Sequence, residues 1–425
     1  MLRQFTIGMV ICWLISITNF AYAANNQQFQ LYDVADLLRK YKIQESSKAL
    51  MNIVTDEKNQ THAFLFMNKS NGDKDISVAR IFLNEKKIFE GEWRDCAYDR
   101  PFKMTADAHV LYVPDCQSLY LDSTVIDINP QRGWLGNNYA YENGKLYFID
   151  GDSIKKFDRL TEKTQILFQH RGKKIYSLIV QDNHVAYLVE QGIRVIATLP
   201  SQMKNTPLIQ WGNESTGRIV YRAYLDGEQI QPNVEPYDFL LSDNNIVYSH
   251  GIRSNGNHVI YAGKKMVVQS IDPPFSLFAD SAGGIWYATC HVNEKNKTRK
   301  CSVFNNGKEK PGPKSVFGVT LLAAENNHFA YLGKNTDTAS GVSLRLVNDG
   351  NYTGRPFFFK RYPYVNFNPT LFFGINGKIY LLIENVDGNM MVLENGVPML
   401  TKEFKKIFMM RKESDGVISV YGTKS

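Results

Sequence analysis

Two stretches of this chain concentrate side chains that could do chemistry. Between Lys295 and Lys314 lie Lys295, Lys297, Arg299, Lys300, Lys308, Lys310 and Lys314 against Glu309 alone, a local excess of +6. Such a segment would attract an acidic glycan, a lipopolysaccharide or an acidic protein, or would simply stand solvated. The second stretch, Arg355-Pro-Phe-Phe-Phe-Lys-Arg-Tyr-Pro-Tyr-Val-Asn-Phe-Asn-Pro, mixes rings with cations. Tyr362, Tyr364 and Phe367 could stack on a sugar or a peptide, with Lys360 and Arg361 beside them. Three prolines bar it from being a central strand throughout, so part of it must be a loop.

Reactive constellations are scarce. There is no Gly-x-Ser-x-Gly elbow, no His-Glu-x-x-His, no phosphate-binding glycine loop and no dinucleotide fingerprint, which weighs against hydrolase and nucleotide chemistry. His109, His184 and His328 each follow a turn and start an apolar run. A metal needs ligands within about 2 Å of one ion, and repeated units would spread these three apart, so they read as turn caps. The acidic segments Asn71–Asp75, Asp150–Asp152 and Asp387–Asn389 invite calcium, yet none has the ligand spacing of a calcium loop and all serve as hairpin turns. No cofactor or metal is expected.

Cysteine usage points to a compartment. Arg3 precedes an apolar run from Phe5 to Ile17, and Ala21-Tyr22-Ala23 supplies the small-x-small pattern of a signal-peptidase site. The reading is a signal peptide over 1–23 and a mature chain from Ala24, periplasmic or extracellular. The run is shorter than the roughly 20 residues a membrane span needs, so no spanning segment is expected after cleavage. Cys12 lies within this run, without the small residues of a lipid-attachment cut. The other four cysteines form two local pairs, Cys96 with Cys116 and Cys290 with Cys301. An even count in an oxidising compartment favours disulfides, and no Cys-x-x-Cys or paired His supports the zinc alternative.

The elements that must position these groups repeat along the chain. A turn of Asp, Asn or Gly is followed by an apolar, aromatic-rich strand, as in Asp107-Ala-His-Val-Leu-Tyr, Asn143-Gly-Lys-Leu-Tyr-Phe, Asp182-Asn-His-Val-Ala-Tyr and Asn326-Asn-His-Phe-Ala-Tyr. The first apolar residues after the turns, Val110, Leu146, Val185, Ile246, Ile285, Phe329, Ile379 and Val417, are spaced by 36, 39, 61, 39, 44, 50 and 38 residues. That is the blade period of a β-propeller. Ala63-Phe-Leu-Phe-Met adds a ninth candidate second strand. The expectation is an all-β chain with one propeller domain over 24–425, of about eight four-stranded blades. Seven or nine remain alternatives, because an unmatched hairpin or a split closing blade shifts the count by one. The 61-residue interval contains Arg218-Ile-Val-Tyr-Arg-Ala-Tyr, which fits an enlarged outer hairpin. Val417–Tyr421 ends the repeat within a blade, so the segment around Phe29–Tyr32 is expected to latch it and hide its edge. A short helix near 33–42 follows, with Val34, Leu37, Leu38 and Tyr41 on one face, packing on the propeller wall or docking a partner.

Asp280-Ser-Ala-Gly-Gly-Ile-Trp-Tyr-Ala-Thr resembles the Asp-x-x-Gly-x-Leu/Ile-Trp hairpin of exported bacterial propellers, including those of two-component sensor ectodomains and streptogramin lyases. The Asn143 and Asn376 units look like weaker copies. The resemblance implies fold and not activity. Gly-His and Trp-Asp signatures of WD40 blades are absent, as is the Ser-x-Asp-x-Gly-x-Thr-Trp box of sialidases.

Net charge is +7, about +6 once Arg3 is removed, too small to argue for a polyanion partner. Export excludes nucleic acid. The function expected from sequence is an exported, monomeric, non-catalytic binding or scaffold propeller for a protein or glycan ligand. The alternative is a lyase or glycan-active hydrolase whose site, at the mouth of the central channel, is assembled from residues far apart in sequence. Intact-mass analysis of the secreted protein should show an N-terminus at Ala24 and no free thiols. Retention of Met1, or a peptide map joining Cys116 to Cys290, would defeat the export and local-pairing arguments respectively.

Overall fold

The computed structural model describes residues 29–424 except 57, 59, 70–75, 95–101, 115–117, 128–137, 195–217, 254–256, 281, 294–297, 314–315, 317, 326–327, 339–340, 360–369, 375–376, 385–389, 400–403 and 414–416. The leader, Cys96, Cys116, and the acidic turns at Asn71–Asp75 and Asp387–Asn389 lie outside the described residues.

Nine blades form the propeller, one for each second strand of the repeat, antiparallel except where a strand from the start of the described chain joins the last. In order they occupy 50–94, 102–127, 139–169, 175–234, 239–270, 275–309, 318–359, 370–399 and 404–424. Blades four and five form one seven-stranded sheet, because the strand Glu228–Leu241 serves both. Its first part pairs with Arg218–Leu225 as the outer strand of blade four, and its last part pairs with Val247–Ile252 as the inner strand of blade five. Arg218–Leu225 is the third strand of blade four and turns into this outer strand through Asp226-Gly227, so it is not the enlarged outer hairpin expected; the interval's extra length falls between Arg194 and Arg218, outside the described residues. Inner strands of blades nine and one touch, which closes the ring.

A recurrent staple shapes the blades. At the turn between third and outer strands sits an Asn or Asp with positive φ: Asn84, Asp122, Asp226, Asn306, Asp349 and Asn395, with φ between 45° and 54°. Its side-chain oxygen accepts the backbone N–H that opens the second strand, at 2.8 to 2.9 Å for His62, Val110, Val185, Ile285, Phe329 and Ile379. Its own N–H returns to the carbonyl of that residue at 2.7 to 2.9 Å. The position needs a residue that tolerates the left-handed conformation and carries an acceptor on a short arm, which only Asn and Asp supply. The three histidines belong to this device: Nδ1 of His109, His184 and His328 donates to the other oxygen of Asp122, Asp226 and Asp349 at 2.6, 2.6 and 2.7 Å. They are turn caps, spread over blades two, four and seven.

Each blade packs on the next through its own apolar cluster. Ala330, Leu332, Leu344 and Leu346 of blade seven meet Phe373, Ile379, Leu381 and Ile383 of blade eight, for example. A second strand is covered on both faces, so Val185 to Val189 are all buried and read as a continuous apolar run rather than an alternating one.

The ring is closed by Phe29–Asp33, which pairs in parallel with Ile418–Lys424, Tyr32 opposite Tyr421. The two rings stack with centroids 4.5 Å apart and planes 4° from parallel. Asp33 then caps the helix Val34–Lys40 by accepting from the Ala35 N–H at 2.9 Å. The helix buries Val34, Leu37 and Leu38, with Tyr41 behind it, on Phe64, Phe66 and Tyr421, so its apolar face packs on the wall between the last blade and the first. His62 lies within this joint, its Nδ1 3.0 Å from the Tyr41 hydroxyl. Burial, aided by the Lys40 charge, pushes its pKa down to about 4.

The staple makes a graded prediction. Asn306→Gly keeps the conformation and loses the acceptor, and should cost about 1 kcal/mol, whereas Asn306→Ala also strains the backbone and should cost about 2 kcal/mol. Urea denaturation would show the order. The His62 joint makes another. A folded pKa below the unfolded value means that stability is full above pH 6.5 and is lost as pH falls through about 4, up to roughly 3 kcal/mol. His62→Gln should therefore flatten the fall in unfolding free energy between pH 6.5 and 4 relative to wild type.

Candidate functional site

Strand direction sorts the connections into two faces. Inner strands of all blades run the same way around the ring, so inner-to-second and third-to-outer turns share one face. Second-to-third hairpins and the links from an outer strand to the next inner strand share the other.

On the turn face, polar groups bond to one another. Besides the staples, the Tyr141 hydroxyl donates to Asp107 at 2.7 Å, linking blades two and three. Glu142 accepts the N–H groups of Asp182 and Asn183 at 2.6 and 2.8 Å, linking three and four. Gln181 donates to Asp243 at 2.7 Å, linking four and five. Lys412 donates to both oxygens of Glu325 at 2.8 and 2.9 Å. The Asp280 motif is used in the same manner: its carboxylate accepts from the Gly284 N–H and the Trp286 indole, each at 2.7 Å. A Cβ at Gly284 would stand 2.7 Å from that carboxylate, which is why glycine is required there.

Of the basic stretch, the Cys290–Cys301 hairpin with Arg299 and Lys300 reaches toward the loop face, whereas Lys308 follows the Asn306 staple turn on the turn face. Cys290 and Cys301 stand directly opposite each other, Cα atoms 4.0 Å apart, and are joined by a disulfide. Cys301 sends its N–H away, to Val316 O at 2.9 Å, so the pair is of the close, non-hydrogen-bonded kind that suits the bridge. Of the basic hairpin beyond it, Lys295 and Lys297 lie outside the described residues. Arg299 and Lys300 are consecutive on one strand, opposite Val292 and His291, and so project to opposite faces of the sheet. Lys300 is exposed, 3.8 Å from Glu309, and Lys310 lies over the Trp286 ring at 5.3 Å. Lys360, Arg361, Tyr362, Tyr364 and Phe367 all lie outside the described residues, after the outer strand Asn351–Phe359.

A cavity of about 220 Å³ opens on this face between blades three and four. Its rim is the turn His170–Lys173, which Asp152 builds by accepting the Gly172 N–H at 2.9 Å, while the Asp152 carbonyl accepts the His170 N–H at 2.8 Å. Asp152 thus shapes a loop, and Asp150 beside it pairs with Lys155, so the calcium candidate at this turn is engaged in protein contacts. His170 is locked by the Tyr187 hydroxyl 3.0 Å from its Nε2 and by the Tyr224 ring at 4.7 Å. Burial lowers its pKa, with the Asp152 carboxylate pulling the other way.

Arg171, Lys173 and Arg222 line the cavity, and among the described residues none of the three makes an ion pair. Opposite them is a β-bulge. Glu190 pairs with Tyr221 and Gly192 with Val220, leaving Gln191 as the extra residue, and Gly192 takes φ 126°. Gln191 lines the cavity, its Oε1 buried with no hydrogen-bond partner. Glu190 accepts from the Tyr176 hydroxyl at 3.2 Å, and burial with this carboxylate pushes Tyr176 up to about 12. The site therefore offers three exposed cations and the Glu190 carboxylate around a residue-sized space. None of these residues stood out in the sequence. The one available signal was Gly192 inside an otherwise strand-like run, which marks a bulge.

No protein-family model matches the chain, and no curated protein matches it in sequence. Solved structures do share its shape. Porphyromonas gingivalis dipeptidyl peptidase 4 is 10% identical with a TM-score of 0.44, over 86% of this chain and 60% of its own. The tricorn protease is 10% identical with a TM-score of 0.36, over 82% of this chain and 42% of its own. The β-propeller domain of the Trilobed protease from Pyrococcus furiosus is 14% identical with a TM-score of 0.32, over 72% of this chain and 94% of its own. The chain spans less than two thirds of the length of the first two. Such identities bear on fold alone. The expectation of a non-catalytic binding or scaffold propeller for protein or glycan ligands, with its lyase or glycan-hydrolase alternative, is nevertheless corrected: structures sharing this shape include the tricorn protease, dipeptidyl peptidase 4 and acylaminoacyl peptidases.

Proposed function

We propose that this chain is an exported propeller of a proteolytic system, receiving short peptides on its loop face for a peptidase unit. The observation that supports this is the cavity between blades three and four, lined by the cations Arg171, Lys173 and Arg222 and by the carboxylate of Glu190. A peptide carries charge, N–H donors and apolar side chains within a few ångströms, and the cavity offers a counterpart to each, with Val189 and Tyr224 as the apolar wall. The leader pattern at 1–23 and the Cys290–Cys301 bridge support export. Among the described residues no helix is long and apolar enough to cross a membrane.

The test is to mix the purified full chain with a tryptic digest of a denatured protein and with neutral oligosaccharides, then identify what co-elutes by mass spectrometry. Short peptides should be enriched over oligosaccharides, and depleting the chain from its source cells should slow envelope breakdown of added peptides. Enrichment of oligosaccharides alone, or peptide breakdown unchanged on depletion, would overturn the proposal.

A further inference from the structure

One buried residue departs from the pattern that the staple sets. In six blades among the described residues the staple holds the residue that opens the second strand, and in five of them that residue is apolar and buried: Val110, Val185, Ile285, Phe329 and Ile379. In the first blade it is His62, 1% exposed, and this is the blade on which the latch helix packs. From this placement we propose that ring closure is a proton-released latch: a proton taken up by His62 frees Phe29–Tyr41 from the last and first blades while the other blades stay folded.

The imidazole has no place for a charge. The Tyr41 hydroxyl gives its proton to Gln60 O at 3.3 Å, so toward His62 Nδ1, 3.0 Å away, it acts as acceptor, and Nε2 is the nitrogen left to take a proton. Nε2 is buried with no hydrogen-bond partner among the described residues, so once protonated it would be a charged donor without an acceptor. Its surroundings are rings and cations. Tyr32, Tyr41, Phe64 and Tyr421 have ring centroids 5.6 to 6.4 Å from the imidazole. Lys40 lies over the Tyr41 ring at 4.9 Å, and Arg411 of the last blade is tied to Thr55 Oγ1 at 2.7 Å and Glu413 at 2.6 Å. Asp56 opposes these charges, yet one of its oxygens already accepts the Gln60 and Thr61 N–H groups at 2.8 and 3.2 Å. Burial, with the Lys40 charge, outweighs it.

Which side yields follows from how each is held. The strand that His62 opens is laddered on both edges, and its N–H and carbonyl are stapled to Asn84 at 2.8 and 2.7 Å. The latch has a five-residue pairing on one edge and a seven-residue helix, well short of the roughly 12 to 15 residues at which an isolated helix becomes even marginal in water. Lifting the latch hydrates the imidazolium and leaves the blades standing, with the Ile418–Lys424 edge and the Phe64 and Phe66 rings bare.

Hydrogen exchange of the full chain, labelled at about pH 6.5 and about pH 4.5 and corrected for the intrinsic rate at each, tests this; the lower value still leaves most carboxylates charged. Amides of the latch and of Ile418–Lys424 should lose at least tenfold in protection at the lower pH, while those of Val185–Val189 and Leu381–Ile383 keep theirs. His62→Phe, which places there the residue type that blade seven carries at Phe329, should hold the latch closed at both values. Equal loss in the latch and in blade four would mean general acid unfolding and overturn the proposal. So would a latch that stays protected in the wild type, or one that loosens as much in His62→Phe. Should that variant not fold, the wild type decides by its slope: one proton per opening gives a loss approaching tenfold per pH unit between about 6.5 and 4.5. A steeper loss, or one that begins only below about pH 4.5, would place the release on carboxylates and overturn the proposal too.

Discussion

Closure depends on one parallel pairing, that of Phe29–Asp33 with Ile418–Lys424. A ring of blades gains its cooperativity only when the last interface forms, because an open ring leaves one apolar blade face and one strand edge in water. The chain meets this demand with residues that precede the first blade. Five residues add a strand to the last blade, and a single helical segment then fills the gap against the first. Packing here is aromatic and close: Tyr32 on Tyr421, Tyr41 near Phe64, and His62 among them. Burying a histidine at this place makes the seam sensitive to acid, since a charged imidazole there would have to leave water.

Much of the architecture was legible because the repeat is enforced by backbone geometry. The turn-plus-strand phrase marks second strands, and these are buried on both faces, so they carry the strongest apolar signal. All nine were visible, and the structure assigns a blade to each. The preference for eight allowed for an unmatched hairpin or a split closing blade; the closing blade is indeed completed from the other end of the chain by Phe29–Asp33, yet it counts as a blade of its own and nine stand. The latch was legible for a different reason: a period that stops within a blade requires a donor strand from elsewhere. The staple was half legible. Asp and Asn at the first turn were seen, whereas the acceptors at the third-to-outer turn, such as Asp226 and Asn395, looked like ordinary hairpin residues.

The cavity was not legible, and the reason is physical. Arg171, Gln191 and Arg222 are unremarkable residue types, 20 and 31 positions apart in sequence, brought together by strand register and a one-residue bulge. Charge runs and aromatic runs attract attention because they are contiguous, yet in a propeller neighbours in sequence alternate between faces, as Arg299 and Lys300 do. The contrast between the two faces is more telling than either run. Acidic groups on the turn face are bonded to N–H groups and histidines, and contribute to the frame. On the loop face, Arg171, Lys173 and Arg222 beside blade four are exposed and make no ion pair among the described residues.

The strand Glu228–Leu241 gives that neighbourhood a mechanical character. Elsewhere adjoining blades are tied by loops, and a few dihedral rotations would let them part. Here the backbone itself passes from one blade into the next, so separating the two means breaking ladder bonds on both sides of a single strand. Blades four and five thus act as one double-width stave of seven strands, a cooperative unit larger than any other in the ring. Should the ring ever breathe to pass a chain through its centre, the gap must form at a seam other than the one between blades four and five.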